Sequence, residues 1–528
     1  MKKLVAVLVV LAVVLGAAWA GSSYWFGMKA EEQYRQILAK ASSPPMLKFL
    51  VESYKRGIFA STAKVAIEFG DMGEQARKDG KGLRFVAIQE ICHGPFPMGN
   101  IGDFKPVVAV IRTTVQSFPE MNAEIKKFLD EFPELKSSEN RTTVFFSGDT
   151  ESVLTVPAFR RTLQKDKKTD IVWEGLSAHF LFSDGLRTTT GSVNAPGLQV
   201  TTPEGTFALK TAKWAVNLHR GASSLNLGNV STEIASIDFK GSGDKASESF
   251  RANGIKLKID SKESANNCVD ATLTMGVEQA KAADKSFDAR LSFVFRKLDA
   301  ESLRKFQDAM DALNMQPPAS EEEMEKKMAA NYLNLAAGLL KKSPEVELTE
   351  VKFTMPEGTF NGKAKVVFTD PKGSIAENPL LLLNAVTAEA ECTAQESLVR
   401  YIAAHALKNL PGAGEMVPGT PDSEIAESDE SPAEVPESEE EESEETEPGA
   451  AVPDKAPSRR AEPAKPGLGG TPPGKTLSVD EQVALTLDQL VKQDLIVKDG
   501  GNYKASASYR GGKVVLNGRT IPLENLFK

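Results

Sequence analysis

The amino-acid sequence predicts an α+β protein: an N-terminal transmembrane helix, then a mainly antiparallel β-sheet body with packed helices. Two patterns carry this reading. After Lys2 and Lys3 the chain runs from Leu4 to Met28 without a charge, which at 1.5 Å per residue makes a helix of roughly 37 Å, enough for a hydrocarbon core of about 30 Å. From Arg141 to Leu298 apolar and polar residues then alternate almost throughout. The alternation is cleanest in Ile255-Leu257-Ile259, Val269-Ala271-Leu273-Met275 and Phe287-Ala289-Leu291-Phe293-Phe295. A period of two is that of an antiparallel sheet with one wet face and one apolar face that needs a partner.

The first segment reads either as an uncleaved anchor over residues 1–28 or as a secretory signal cleaved after Ala20, because Ala18-Trp19-Ala20 precedes Gly21. Tyr24, Trp25 and Phe26 before Lys29 favour the anchor, since aromatic side chains gather where a span meets water. The basic residues sit on the short side, which places Met1 in the cytoplasm and the bulk of the chain outside, in the periplasm if the source is a Gram-negative cell. Ala30–Ala41 continues the helix as a stalk until Pro44 and Pro45 stop it.

The body is expected over residues 29–410. Met46–Arg56 and Ile58–Phe69 flank Gly57 as a hairpin, with Val51 and Phe59 in the core. Leu83–Cys92 is a strand that ends at His93-Gly94-Pro95-Phe96-Pro97, where the prolines leave the ladder. Lys105–Val115 is a further strand. Pro119–Leu135 then places Met121, Ile125, Phe128, Leu129 and Phe132 at helical spacing. Helices Ala300–Leu313 and Ser320–Lys342 follow the alternating region as candidates to cover its apolar face. The second opens on a Ser320/Glu323 capping box and carries Met324, Met328, Tyr332, Leu335 and Leu339 on one side. Strands resume at Glu345–Met355 and Thr359–Phe368, and Ala394–Leu407 reads as a helix. The pentamer Pro-Glu-Gly-Thr-Phe occurs at 203–207 and again at 356–360, a trace of repeated sheet units.

Residues 411–476 form an acidic, Pro/Ser/Glu-rich stretch without an aromatic side chain, whose composition predicts a disordered linker. It contains 17 Asp and Glu against 5 Lys and Arg, a balance of −12, so the net charge of −9 leaves about +3 for the rest. No basic excess is left for nucleic acid. Residues 477–528 follow as a terminal helix, capped by Ser478 and Glu481, and a hairpin of Tyr503–Tyr509 with Lys513–Asn517. The helix offers Val479, Val483, Leu487, Leu490 and Val491 as an apolar stripe. A unit this small needs the body to dock on.

The sequence assigns no catalytic, cofactor-binding or metal-binding residue: it has no Walker loop, GxSxG, HExxH or CxxC. His93, His179, His219 and His405 are dispersed, and Cys92 beside His93 lacks an orienting third group. Cys92, Cys268 and Cys392 are too few for a disulfide framework, though export would permit one bridge.

Four stretches resemble the YdgA-like family of bacterial envelope proteins of unknown function. They are Tyr24-Trp25-Phe26-Gly27 with Lys29 and Glu31; Tyr54–Ser61; His93-Gly94-Pro95-Phe96-Pro97; and Gly500–Leu523, with Leu516-Asn517-Gly518. The resemblance implies an inner-membrane location and carries over no catalytic residue. The expected function is that of a non-enzymatic, membrane-tethered scaffold or binding protein of the periplasm, with the membrane, lipid or envelope proteins as partners. An envelope hydrolase with a site assembled across the sheet is the alternative.

Overall fold

The computed structural model describes residues 2–41, 47–69, 83–97, 106–164 apart from 117, 120 and 122, 167–243, 248–282, 285–315, 320–373, 378, 381–409 and 478–521; within the first helix, side-chain surroundings are described for 14–32, 34, 35 and 38. The expected linker at 411–476 lies outside the described residues. Two compact units divide the chain, one comprising Met1–Tyr401 with Leu487–Lys528 and the other Ile402–Thr486.

The first unit is organised by one sheet. A helix, α1 (Lys2–Ala41), leads into β1 (Leu47–Arg56), β2 (Ala60–Phe69), β3 (Leu83–His93) and β4 (Ala109–Val115), then into α2 (Ala123–Glu131). The strands β5 (Glu139–Val144), β6 (Thr150–Val156), β7 (Phe159–Gln164), β8 (Lys168–Trp173) and β9 (Leu176–Ser183) follow. Six long strands come next: β10 (Thr188–Thr202), β11 (Gly205–Arg220), β12 (Asn226–Gly241), β13 (Ser249–Ser264), β14 (Cys268–Ala282) and β15 (Lys285–Asp299). After α3 (Ala300–Met315) and α4 (Glu321–Leu340) come β16 (Glu345–Met355), β17 (Gly358–Phe368), α5 (Leu381–Ala385), β18 (Val386–Gln395) and α6 (Glu396–Asn409). The chain closes with α7 (Val479–Lys492), β19 (Val497–Asp499), β20 (Asn502–Arg510), β21 (Lys513–Leu516) and β22 (Arg519–Ile521). A mainly antiparallel sheet with a few helices is thus the fold.

Nearly every strand pairs with its neighbour in sequence. The exceptions are β6, which pairs with β9, so that the β7–β8 hairpin branches off and rejoins on the second half of β10, and β18, which pairs with β20 from Thr387↔Arg510 to Gln395↔Asn502. The residues after 487 therefore extend the sheet by main-chain hydrogen bonds. In α7 the expected stripe is the buried side, with Val483 and Leu487 at 2% and 4% exposure. Its N-terminus is a reciprocal capping box, Ser478 N–H donating to Glu481 Oε2 at 2.8 Å and Glu481 N–H to Ser478 Oγ at 3.3 Å.

The helical expectations need correction in three places. The helix expected at Pro119–Leu135 is shorter, because Pro133 opens a separate 3-10 turn, Pro133–Ser137. Met121, Ile125 and Leu129 pack on Ala66 and Val86, but Phe128 is 46% exposed. The helix expected from Ala394 starts at Glu396, because Val386–Gln395 is strand β18. Most consequentially, α3 and α4 do not cover the apolar face of the alternating region. Strand β15 runs straight into α3 at Ala300, which is buried against Leu225, Leu227 and Val269 at the strand ends, while Leu257 and Ile259 out on the sheet remain 37% and 39% exposed. Val51 and Phe59, expected in the core, are half-buried. The repeated pentamer has a local explanation: each copy closes a hairpin, with Thr202↔Gly205 in one and Met355↔Gly358 in the other, and Glu204 and Glu357 pair with Lys167 and Lys285.

Ala507→Pro tests the late sheet extension, because Ala507 lies opposite both Ala390 and Leu516. Removing its N–H and forcing φ should cost on the order of 3 kcal/mol and expose β20–β22 to protease. An unchanged denaturant midpoint would show that β18 does not depend on this partner.

Candidate functional site

Directly opposed residues of neighbouring strands share a face, so the ladder register tells which side chains line each side of the sheet. One row reads Phe180, Gly191, Val216, Val230, Ile259, Leu273, Phe293, Leu348, Ala364, Ala390, Ala507 and Leu516. The row beside it reads Val193, Trp214, Thr232, Leu257, Met275, Leu291, Val351, Gly362, Cys392 and Ala505. Neither contains a charge. Between them, on the other face, lie His179, Ser192, Ala215, Ser231, Lys258, Thr274, Ser292 and Glu350. An apolar track therefore crosses the sheet from β9 to β21.

Toward the N-terminus the first row continues through Ser152, Thr142, Ile111 and Ile91, and here α1 covers it. Ala30 and Tyr34 of α1 join Ala63, Val65, Ile91 and Ala109 in one buried cluster. Burial pushes the Tyr34 phenol above its ordinary range, so it stays protonated and donates to Gln89 Oε1, whose amide in turn donates to Thr113 at 3.0 Å. Nearer the end of the sheet, Ser23 is fully buried and donates to Gly94 O at 2.7 Å. A Cβ on Gly27 would lie 2.4 Å from the His93 ring, so only glycine lets the helix come this close.

His93 itself is 1% exposed. Its Nδ1 lies 3.1 Å from Ile58 O and its Nε2 2.8 Å from Ser61 Oγ. A carbonyl only accepts, so Nδ1–H donates to Ile58 and Nε2 accepts from the Ser61 hydroxyl, which requires the neutral ring. Burial, with Arg56 nearby, holds the imidazole below its ordinary value against the hydrogen bond to Ile58. The clamp is completed by aromatic contacts: Trp19 stacks on Phe59 at 4.6 Å, Phe26 meets Phe146 at 5.4 Å, and Arg56 lies over Tyr24 at 5.3 Å while pairing with Glu31 at 3.5 Å.

These contacts revise the reading of the first segment. Among the described residues no helix is long and apolar enough to cross a membrane. From Trp19 onward α1 lies on the hairpin tips, so Tyr24 and Phe26 contact protein where an interfacial belt was expected. The revision has a clear physical cause, since a helix face of Ser23, Gly27 and Ala30 is small enough to seat against a sheet.

Beside the clamp, under α1 and over β3–β6, β9 and β10, lies a cavity of about 540 Å³. Its walls include Leu38, Phe49, Ile91, Ile111, Val144 and Phe182 and contain no charged side chain. Two further hollows, of about 480 and 600 Å³, are lined by charged groups such as Glu139 and Arg141 or Asp299 and Lys341.

The Ser61–His93 pair has the hydrogen bond of a nucleophile and its base, yet both residues are 1% exposed and Gly27 covers the ring. It is a lock for α1. Cys92 pairs with Ala60 on the opposite face from His93, and burial pushes its thiol up. All three cysteines are free. His179 meets Glu151 at 2.8 Å on the surface, and no group of ligands for a metal occurs among the described residues. Three of the four stretches that carry the family resemblance thus meet in one clamp, which spacing along the chain could not reveal. In the fourth, Asn517 Oδ1 accepts from Ser506 N–H at 2.7 Å and its amide donates to Asp494 O at 2.8 Å, fixing the β21–β22 turn.

Fold and site together define a class, a continuous antiparallel sheet with a helix clamped over one end of its apolar face. The chain belongs to the bacterial family described as protein of unknown function (DUF945), which matches residues 1–524. The resemblance to YdgA-like proteins is compatible with that membership. No curated protein and no solved structure matches the chain.

Gly27→Leu should undock α1 and lower stability by roughly 1–3 kcal/mol through overpacking against His93; protease resistance at Tyr34 equal to the parent's would refute the clamp. The lock also predicts a pH dependence. Because the docked ring has a lowered pKa, the neutral-state stabilisation is complete above an unfolded value of about 6.5 and is lost as pH falls through the lower folded value. The gap in urea midpoint between parent and His93→Gln should narrow from about pH 7 to about pH 5. A constant gap would show that His93 does not titrate with docking.

Proposed function

We propose that the protein is a membrane-tethered, non-enzymatic binding protein of the bacterial envelope that carries lipid-class apolar ligands on the uncovered face of its sheet. The single observation that supports this reading is the pair of uncharged rows from β9 to β20 and β21, on which, among the described residues, Leu257 and Ile259 stand exposed. A scaffold core would bury such residues, whereas Leu257 and Ile259 remain more than a third exposed. Apolar side chains left exposed side by side on such a face mark an interaction surface.

Tethering rests on the apolar run Leu4–Ala18, because the helix beyond it is committed to the clamp. At 1.5 Å per residue this run reaches about 22 Å, short of a hydrocarbon core of about 30 Å. Val14 and Leu15 are 57% and 61% exposed, and Ile58, Phe96 and Phe146 are exposed on the tips around the clamp. Seating those tips in the headgroup layer makes up the difference, with Met1 on the cytoplasmic side and the sheet in the periplasm.

Mass spectrometry of the full-length protein purified in detergent tests the reading. Phospholipid or fatty acyl species should co-purify, and Leu273→Asp, which puts an unpaired charge on the track, should reduce them by roughly tenfold. Absence of any such species from the parent would overturn the proposal.

A further inference from the structure

We propose that the cavity beside α1 is the entrance of this track and admits one acyl chain of a phospholipid from the adjoining membrane leaflet. The inference rests on the lipid-binding reading above and adds a site, a ligand class and a direction. At about 540 Å³ the cavity lies within the roughly 300–1,000 Å³ of ligand sites. Its polar groups are turned toward each other: Ser152 Oγ donates to Asn140 Oδ1 at 2.8 Å, Thr142 Oγ1 to Ser152 Oγ at 3.2 Å, and Gln89 bridges Tyr34 and Thr113. What remains facing the hollow is mainly hydrocarbon, with the Thr150 and Thr189 hydroxyls among it and no charge to hold an ionic ligand.

Position supplies the direction. Ile111, Thr142 and Ser152 in the cavity wall belong to the same ladder row as Phe180 and Leu273, so the hollow is the covered end of the uncovered track. The opposite wall is α1, which continues past the clamp into the apolar run Leu4–Ala18. A chain leaving a leaflet along that helix passes the clamped tips at Trp19–Gly27 and then reaches the cavity, where Ala30, Tyr34 and Leu38 form its wall. Leu186, 42% exposed on the β9–β10 turn, lines the mouth.

The test places a photoreactive phenylalanine derivative in the full-length protein at Leu186 in the mouth, at Leu273 on the track, or at Lys258 on the other face. Cells are irradiated and the purified chain is weighed. Adducts of phospholipid mass at Leu186 and Leu273, with none at Lys258, are expected. An adduct at Leu273 alone overturns the entrance and leaves the binding reading standing. Absence at both overturns both, and fatty-acid masses alone overturn the leaflet as source. Thr142→Trp, which fills the hollow, should cut the Leu273 adduct by roughly tenfold, and Thr189→Asp at the cavity rim provides the same test should the larger side chain unfold the protein. Undiminished labelling at Leu273 in a folded variant overturns the entrance.

Discussion

An antiparallel ladder forces directly opposed residues onto the same face, so a sheet of many strands stays apolar on one side only if every hairpin keeps the phase of its neighbours. From β9 to β21 this chain keeps it, and the result is a face with no charge in two adjacent rows. Such a face normally costs too much in water to be left open. Here α1 closes it at one end. Where α1 lies over it, Ala63, Val65 and Ile91 fall to 1% exposure or less, and a few strands further on the same face is half-open.

The helix that closes that end is selected by size. Ser23, Gly27 and Ala30 recur on one side of α1, and each meets a specific neighbour: a carbonyl, an imidazole ring and an apolar pocket. Close approach excludes water from His93, which keeps the ring neutral and commits both of its nitrogens to hydrogen bonds. A buried polar pair fully satisfied in this way fixes a unique docking position. Sandwiched between α1 on one face and α2 on the other, β1–β3 form the most completely buried part of the sheet, and they hold the tips that surround the exit of α1.

Much of the architecture was legible in the sequence because it depends on local periodicity. The alternation in β13–β15, the hairpin around Gly57, the exit after His93 and the capping boxes of α4 and α7 are set by nearest-neighbour chemistry, and they lie where that chemistry places them. Strand β18 was not legible: Val386–Gln395 is rich in alanine and glutamate, weak strand formers that are a strand here because β17 and β20 flank them. The expectation that α3 and α4 would cover the apolar face failed for a related reason. Periodicity shows that a helix has an apolar side and says nothing of which surface meets it.

The site divides along the same line. By itself the sequence determined that the protein is sheet-rich, that one face is apolar, that the first segment is apolar, and that no familiar catalytic motif is present, since each of these follows from residue types at fixed spacing. Only the tertiary structure decided that Gly27, Ser61 and His93 are one contact, that the first helix is exposed from Val14 to Ala18 and docked beyond them, and that Leu257 and Ile259 on the sheet's apolar face stay exposed. These facts depend on register and on close approach between segments dozens of residues apart, and neither quantity is encoded in the local pattern that makes a strand or a helix.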